Sequence, residues 1–294
     1  MPSEELTVEG EMGSGRLGRE VSTPRHLVEK VIEIYTEIAK LESLKPSKPV
    51  NALFTHLVHI CTLPISFDMD SLENDIKDVR SKLVCLCAEA ESQLEAHFSD
   101  LIGRCPRPIS SLHIFPYYSN YLKLAVLEFE TLVANHIPMP KNVAFLGSGP
   151  MPLSSIVLAL HHMPTTLFDN YDISPHANLM GSSLMRGHAD LLGRMSFHTC
   201  DAKMVKGDAV AEYDVVILAA LVGVIREEKA QIIAHLAAHM KQGATLLVRS
   251  AHGSRSFLYP VVEEEDLSGF SVMDVVHPTN EVINSIILAK KICN

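Results

Sequence analysis

Apolar residues first recur with a helical period near His26. Leu27, Val31, Ile34, Ile38 and Leu41 follow at spacings of 4, 3, 4 and 3, until Lys45-Pro46-Ser47-Lys48-Pro49 breaks the run. A short helix from Asn51 to about Thr62 is predicted next. The longest helix is predicted to open at Asp70, where Glu73 three residues on makes a capping-box-like start. Leu72, Ile76, Val79, Leu83, Leu86, Ala90, Leu94 and Leu101 keep one of its faces apolar as far as Gly103. Behind the aromatic cluster Phe115-Pro116-Tyr117-Tyr118, a further helix is expected from Ser119 to Asn135. Residues 1–24, rich in Gly, Ser and Glu with no apolar period, read as a mobile tail. Residues 25–136 therefore read as an N-terminal helical domain, and His136-Ile137-Pro138-Met139-Pro140-Lys141 as the linker out of it.

Beyond the linker, short apolar runs alternate with helical stretches. Strands are expected at Asn142–Leu146, Thr165–Tyr171, Met195–Thr199, Tyr213–Leu218, Ala244–Ser250, Phe270–Val276 and Ile283–Ala289, with helices at Leu153–His161 and Glu227–Met240. Such alternation predicts an α/β domain over residues 137–294, a parallel sheet covered by helices on both faces. Only the six residues His277 to Val282 join the last two strands, too few for a parallel crossover, so the final strand must run antiparallel to its predecessor. A Rossmann-like parallel sheet with an antiparallel C-terminal hairpin is the outline of S-adenosylmethionine (SAM) dependent transferases rather than of NAD dehydrogenases.

Composition narrows the classes. Of 294 residues, 47% are apolar and 20% charged, an ordinary globular balance. The net charge of −10 and the lack of a basic patch argue against nucleic acid as a partner. The most continuous apolar stretch, Val215 to Ile225, is 11 residues, short of the ~20 a membrane span requires. MPSEELTVEGEMG at the start carries four Glu and no Lys or Arg, unlike a signal or transit peptide. Six cysteines without a C-x-x-C pair suggest neither a zinc ribbon nor a disulfide framework. A soluble cytoplasmic protein, monomer or homodimer, is the expectation.

Gly147-Ser148-Gly149 follows a strand and opens a helix, where a backbone turn can approach a ligand closely. The third glycine of a dinucleotide fingerprint would fall at position 152, which is Pro, so a pyrophosphate is disfavoured while SAM, which has none, is not. Asp172 stands 25 residues after Gly147 at the end of the second strand, placed to accept from ribose hydroxyls; Asp201 ends the third, placed to accept from an adenine amine. Either acid alone is as readily a helix cap, but together with the glycine turn they favour a nucleoside pocket, lined further by Ala219 and Ala220. Arg249, at a strand end, suits a substrate carboxylate or a surface ion pair equally. His235 and His239 share a two-His spacing but lack a third ligand, so no metal site is assigned. Glu91 and Glu95 edge the stripe of the longest helix, and Tyr117, Tyr118 and Tyr121 precede or begin the next; solvation and packing are the ordinary fates of such residues. The residues themselves support a SAM-type pocket capped by a helical domain and leave the reaction open.

The segment Val143-Ala144-Phe145-Leu146-Gly147-Ser148-Gly149-Pro150-Met151-Pro152-Leu153 strongly resembles plant nicotianamine synthases. Leu41 to Ser47, Ile114 to Leu124, Leu218 to Gly223, Arg249 to Gly253 and His277-Pro278-Thr279 match the same family, so the resemblance spans about residues 27 to 291. It implies an enzyme that transfers the 3-amino-3-carboxypropyl group of SAM. Three SAM molecules condense into nicotianamine, a metal chelator of iron homeostasis, with three methylthioadenosines released and an azetidine ring closed. SAM is the substrate, and no cofactor or metal is implied beyond it. Glu95 resembles the family's catalytic glutamate, with Glu91 as the fallback, and Tyr118 its partner tyrosine; Tyr117, Tyr121 and Arg249 would surround the substrate, and Gly147, Ser148, Gly149, Asp172 and Asp201 would hold SAM. The rival readings on the same sheet are a SAM methyltransferase and a catalytically dead SAM-fold binding protein. Tyr121-Leu122-Lys123-Leu124 and Leu191-Leu192 also fit short vesicle-sorting patterns, spacings that core residues share.

Overall fold

The structure, a computed structural model, describes residues 23–66, 68 and 73–292. The predicted tail, up to residue 22, lies outside the described residues, as does Asp70.

Four helices form first. α1 (Pro24–Ile38) starts where the Thr23 side chain accepts from the His26 backbone N–H, with Pro24 at its first position, and buries Leu27, Val31, Ile34 and Ile38. α2 (Lys48–Cys61) begins the same way, with Ser47 accepting from Val50 N. It starts three residues before the sequence pattern suggested, because Pro49 sits in its first turn instead of ending the preceding break. α3 (Asn74–Gly103) has 30 residues, and Glu73 flanks it without a side-chain cap; the capping box expected of Asp70 and Glu73 rests on Asp70, outside the described residues. α4 (Tyr118–Ala134) ends in a Schellman turn: Ile137 N donates to Leu132 O at 3.0 Å while His136 takes φ of 56°.

The remainder is a seven-stranded sheet in the order β3-β2-β1-β4-β5-β7-β6, formed by β1 (Asn142–Leu146), β2 (Leu167–Asp172), β3 (Met195–Thr199), β4 (Val215–Leu218), β5 (Thr245–Ser250), β6 (Phe270–Val276) and β7 (Ser285–Lys291). β1 to β5 are parallel, while β7 runs antiparallel to both β5 and β6. The expected α/β, Rossmann-like SAM-transferase sheet with its antiparallel hairpin is what forms. Behind β1, α5 (Leu153–Val157) passes into a π turn, Leu158–His162, whose last bond runs from Met163 N to Leu158 O. Two helices between β2 and β3, α6 (Pro175–Ser183) and α7 (Ala189–Arg194), were not foreseen. Their start signal is present, since Ser174 caps Ala177 N, but Asn178 and Gly181 interrupt the apolar period. α8 (Arg226–His239) follows β4.

Three cores result. One sheet face packs Phe145, Val215, Ile217 and Leu247 with Leu124, Ala125 and Leu132 of α4 and Ile156 of α5. The other packs Ala144, Val216 and Leu246 with Ile232, Ile233 and Leu236 of α8. The third joins α1, α2 and α3 to Phe257 and Leu258 behind β5. The residues of the sorting-like patterns are absorbed into this packing: Leu124 and Leu191 are buried and Tyr121 packs against the first core, leaving Leu192 exposed. Among the described residues, no helix is long and apolar enough to cross a membrane.

A buried ion pair locks α4 to the sheet: Arg249 Nε, at the end of β5, donates to Glu128 Oε1 at 2.6 Å, with both side chains inaccessible or nearly so. Removing one partner strands the other's charge. Glu128→Ala is expected to lower unfolding free energy in urea by about 3–5 kcal/mol, and Glu128→Ala with Arg249→Met to recover part of that loss. A single variant as stable as the parent would mean the pair does not hold the layers together.

Candidate active site

The C-terminal ends of β1, β2 and β4 face α2, α3 and α4 across a cavity of about 950 Å³. That lies at the upper end of small-molecule sites, with room for a donor and an acceptor together. Glu91, Glu95, Tyr117, Tyr121, Gly147, Ser148, Gly149, Asp172, Asp201, Ala219, Ala220 and Arg249 all line it; Tyr118 does not.

The glycine turn is dictated by conformation and by space. Gly147 and Gly149 adopt φ of 83° and 66°, which side-chain-bearing residues rarely accept. A Cβ at residue 147 would run into Val222, and one at residue 149 would stand 2.8 Å from Glu95 Oε2. The helical layer thus brings a carboxylate oxygen directly over the turn. Beneath it, Asp172 accepts from Gly149 N at 3.0 Å through one oxygen and from Ser174 N at 2.8 Å through the other. Asp201 accepts from Lys203 N at 2.9 Å. Both acids therefore bond local backbone amides while lining the cavity.

Glu95 is buried, and Tyr121 Oη donates to its Oε1 at 2.9 Å. The sequence resemblance had assigned that partnership to Tyr118. Tyr118, in the first turn of α4, instead packs against the first core outside the cavity, whereas Tyr121 continues the buried stripe of Ala125, Glu128 and Leu132. One turn before Glu95 on α3, Glu91 receives a second tyrosine, Tyr259, whose Oη donates to Oε2 at 2.6 Å. Burial raises the Glu95 carboxyl well above the usual carboxylate range, and the neighbouring Glu91 adds to it. Burial likewise raises Glu91, opposed by the Tyr259 hydrogen bond and the Arg249 charge. Burial next to these acids pushes both Tyr121 and Tyr259 far above an ordinary phenol.

Arg249 is buried, which removes the surface-pair reading. Its Nε is committed to Glu128, its Nη2 to Ser154 Oγ at 2.6 Å, and its guanidinium lies 5.1 Å above the Phe145 ring. Among the described residues no group of three or more His, Cys, Asp or Glu is arranged to hold a metal ion; His235 and His239 bond to the carbonyls of Val205 and His235. Three hydrogen-bonded polar side chains at or behind the cavity wall are not singled out by the sequence pattern: Glu128, Tyr259 and Lys229. Lys229 stands in register with Ile232, Ile233 and Leu236 on the buried face of α8, an ionisable residue inside an apolar stripe that was there to be noticed. Its Nζ donates to Ala220 O at 2.7 Å and Ala219 O at 3.3 Å, fixing the turn that follows β4.

The fold and the pocket together define a Rossmann-like, SAM-dependent transferase. A family model described as nicotianamine synthase protein matches residues 21–294. The nicotianamine synthase of Solanum lycopersicum is 52% identical over 266 residues, covering 90% of this chain and 84% of that one. Nicotianamine synthase 2 of Arabidopsis thaliana is 49% identical, with 90% and 84% covered. The chain belongs to the nicotianamine synthase family. Among solved structures, MtNAS in complex with MTA and tNA superposes with a TM-score of 0.76 at 22% identity, covering 90% of this chain and 98% of that one. A Glu-to-Gln mutant of MtNAS, solved with S-adenosylmethionine, gives 0.75. At that identity these two speak for the fold.

Burial pushes Lys229 down to about 7 from 10.5. Between those values the unfolded chain holds a proton that the native state has released, so stability rises with pH across the window and the cost of burying the charge is in full force below it. Measured against Lys229→Met, the parent should gain stability between pH 7 and 10. A difference independent of pH would show that Lys229 stays charged when folded.

Proposed function

We propose that this chain condenses three SAM molecules into nicotianamine by successive transfer of the 3-amino-3-carboxypropyl group, releasing three methylthioadenosines and closing an azetidine ring. The observation that carries the residue assignment is the arrangement of Glu95: Tyr121 occupies one carboxylate oxygen, and the other lies against Gly149 of the SAM turn.

In each transfer the acceptor nitrogen forms a bond to the terminal carbon of the carboxypropyl group while that carbon's bond to sulfur breaks. The bonding pair leaves with sulfur as the neutral thioether of methylthioadenosine, so the leaving group needs no acid. The attacking amine must first lose a proton, which Glu95 accepts through Oε2. A carboxyl raised by burial suits that task better than an ordinary one, because its affinity for a proton lies closer to that of the amine. The sulfonium and ammonium of the bound substrates favour its ionised form by direct attraction. Tyr121 holds Glu95 in place; Asp172 and Asp201 take the ribose and adenine, and Gly147, Ser148, Gly149, Ala219 and Ala220 leave room for the nucleoside. Tyr117 lines the same space. Arg249, already bonded to Glu128 and Ser154, offers its remaining N–H groups to a substrate carboxylate. In the last step the acceptor's own nitrogen attacks its own carboxypropyl carbon and closes the ring.

Helices α1 to α4 serve as a cover that keeps water and partly built chains apart. The described cysteines are free thiols, with Cys61 and Cys87 buried, which suits the reducing cytosol.

Incubation of the purified protein with SAM alone should yield nicotianamine and methylthioadenosine in a ratio of about one to three by mass spectrometry. S-adenosylhomocysteine, formed only with an added acceptor, would make it a methyltransferase. Glu95→Gln is expected to lower kcat by roughly 10²–10⁴ while SAM still binds by calorimetry. Turnover near that of the parent would move the base elsewhere.

A further inference from the structure

Glu91 and Tyr259 have no part in the steps above, yet they form a second carboxylate–tyrosine pair on the wall of the same cavity. The two pairs are assembled from different elements. Tyr121 comes from α4, whereas Tyr259 comes from the segment behind β5, and only the two glutamates share a helix. If Glu91 served merely to hold that segment, an apolar contact would do so without the cost of desolvating a carboxylate. Arg249, already paired with Glu128, offsets the desolvation of Glu91 only in part. A ligand cation is what would complete it.

The spacing indicates which cation. Residues four apart on α3 are displaced by about 6 Å along the helix axis. Each carboxypropyl unit added to an amine sets the next nitrogen four single bonds away, about 5 Å when extended. A chain of such units lying along α3 would therefore meet Glu95–Tyr121 with one nitrogen and Glu91–Tyr259 with its neighbour. We infer that Glu91 and Tyr259 form a second ammonium subsite, which holds the nitrogen one carboxypropyl unit behind the one being alkylated at Glu95. This rests on the condensation reaction proposed above.

The order of use follows from the chemistry. At the first transfer the acceptor has a single amine, which must sit at Glu95. Its nitrogen bonds to the donor carbon, the carbon–sulfur bond breaks toward the departing thioether, and the proton goes to Glu95. The second transfer requires the newly added amine at Glu95, so the older nitrogen, now a secondary ammonium, moves back one unit. There it meets Glu91, with Tyr259 supporting the far carboxylate oxygen. The subsite matters from the second transfer onward and keeps the once-extended chain in the chamber.

The test compares the parent, Glu91→Gln and Tyr259→Phe with SAM as sole substrate. Reactions are quenched by denaturation, so that bound and released chains are both counted by mass spectrometry. The ratio of once-extended chain, open or ring-closed, to nicotianamine is expected to rise about tenfold or more in both variants, the scale of one lost hydrogen bond to a charged group. First-turnover release of methylthioadenosine should fall far less than it does in Glu95→Gln. Two results would overturn the subsite. One is an unchanged product ratio at lower overall rate, which marks a structural role. The other is first-turnover loss as deep as that of Glu95→Gln, which puts Glu91 in every transfer. Tyr259→Phe preserves the packing and decides the matter should Glu91→Gln fold poorly. If the parent itself makes no nicotianamine, the proposed reaction fails, which is a different result from either of these.

Discussion

A guanidinium buried at the junction of helices and sheet sets the electrostatics of the chamber. Arg249 ties β5 to α4 through Glu128 and to α5 through Ser154, and its plane rests over Phe145 of β1. A charge so placed must be matched, and Glu128, completely buried, matches it. That local neutrality has a consequence for its neighbours. Glu91 and Glu95 lie in the same low-dielectric space, and Arg249 only partly offsets their desolvation. The chamber is consequently short of cations when empty and disposed toward a substrate carrying both sulfonium and ammonium groups. The interaction that holds the two layers together thus also leaves Glu91 and Glu95 with tyrosine hydroxyls as partners and no cation of their own.

The approach of those layers is fixed at one residue. Gly149 has Asp172 on its amide and Glu95 over the face where a side chain would project. On the proposed reading, the nucleoside end and the amine end of a SAM molecule are gripped on opposite sides of this glycine. A methyltransferase needs only the first grip. The second is supplied by α3, which explains why so long a helix crosses a sheet that is otherwise complete in itself. Lys229 plays a comparable part on the opposite wall, where its amine takes up two carbonyls left over as β4 gives way to the Ala219–Ala220 turn. An apolar residue there would remove the Lys229 donor from the Ala220 carbonyl, whereas the Ala219 carbonyl also accepts from Val222 N.

The sequence pattern was most informative where period and burial agree. Asn142–Leu146, Met195–Thr199 and Phe270–Val276 are strands with the predicted bounds, and the antiparallel hairpin followed from six connecting residues alone. The cavity-lining glycines, Asp172, Asp201 and Arg249 could be named because strand ends place them, whereas Glu91 and Glu95 are singled out only by the family resemblance. What escaped was decided by packing in three dimensions. α6 carries Asn178, whose amide bonds to the carbonyls of Asp172 and His198, and Gly181, against which Pro152 and Phe197 press closely; neither advertises a helix. Three tyrosines within five residues left open which one meets Glu95, and the α4 stripe, traced through Glu128, selects Tyr121. Glu128 and Lys229 were passed over as ordinary polar residues although each interrupts an apolar stripe. Tyr259 lies in a segment without any period, and nothing local connects it with Glu91, 168 residues away.

Selectivity among the three carbons bound to a sulfonium is a question of where the nucleophile is held. All three bonds to sulfur are breakable, and the leaving group differs only in what remains attached to it. A base on the methyl side would make a methyl donor of the same bound SAM, with the same grip on its nucleoside. Glu95 Oε2 instead stands over Gly149, on a helix that the sheet did not need, at a height set by Tyr121 on one oxygen and by glycine's missing side chain beneath the other. On the proposed reading, in-line attack requires the acceptor nitrogen near that oxygen and the carboxypropyl carbon between nitrogen and sulfur, so the reaction is chosen by position, with no difference in intrinsic reactivity required. Adding one methyl group at residue 149 would both crowd that carboxylate and strain a turn whose φ is 66°, so on the proposed reading the second glycine serves the choice of chemistry as well as the binding of SAM.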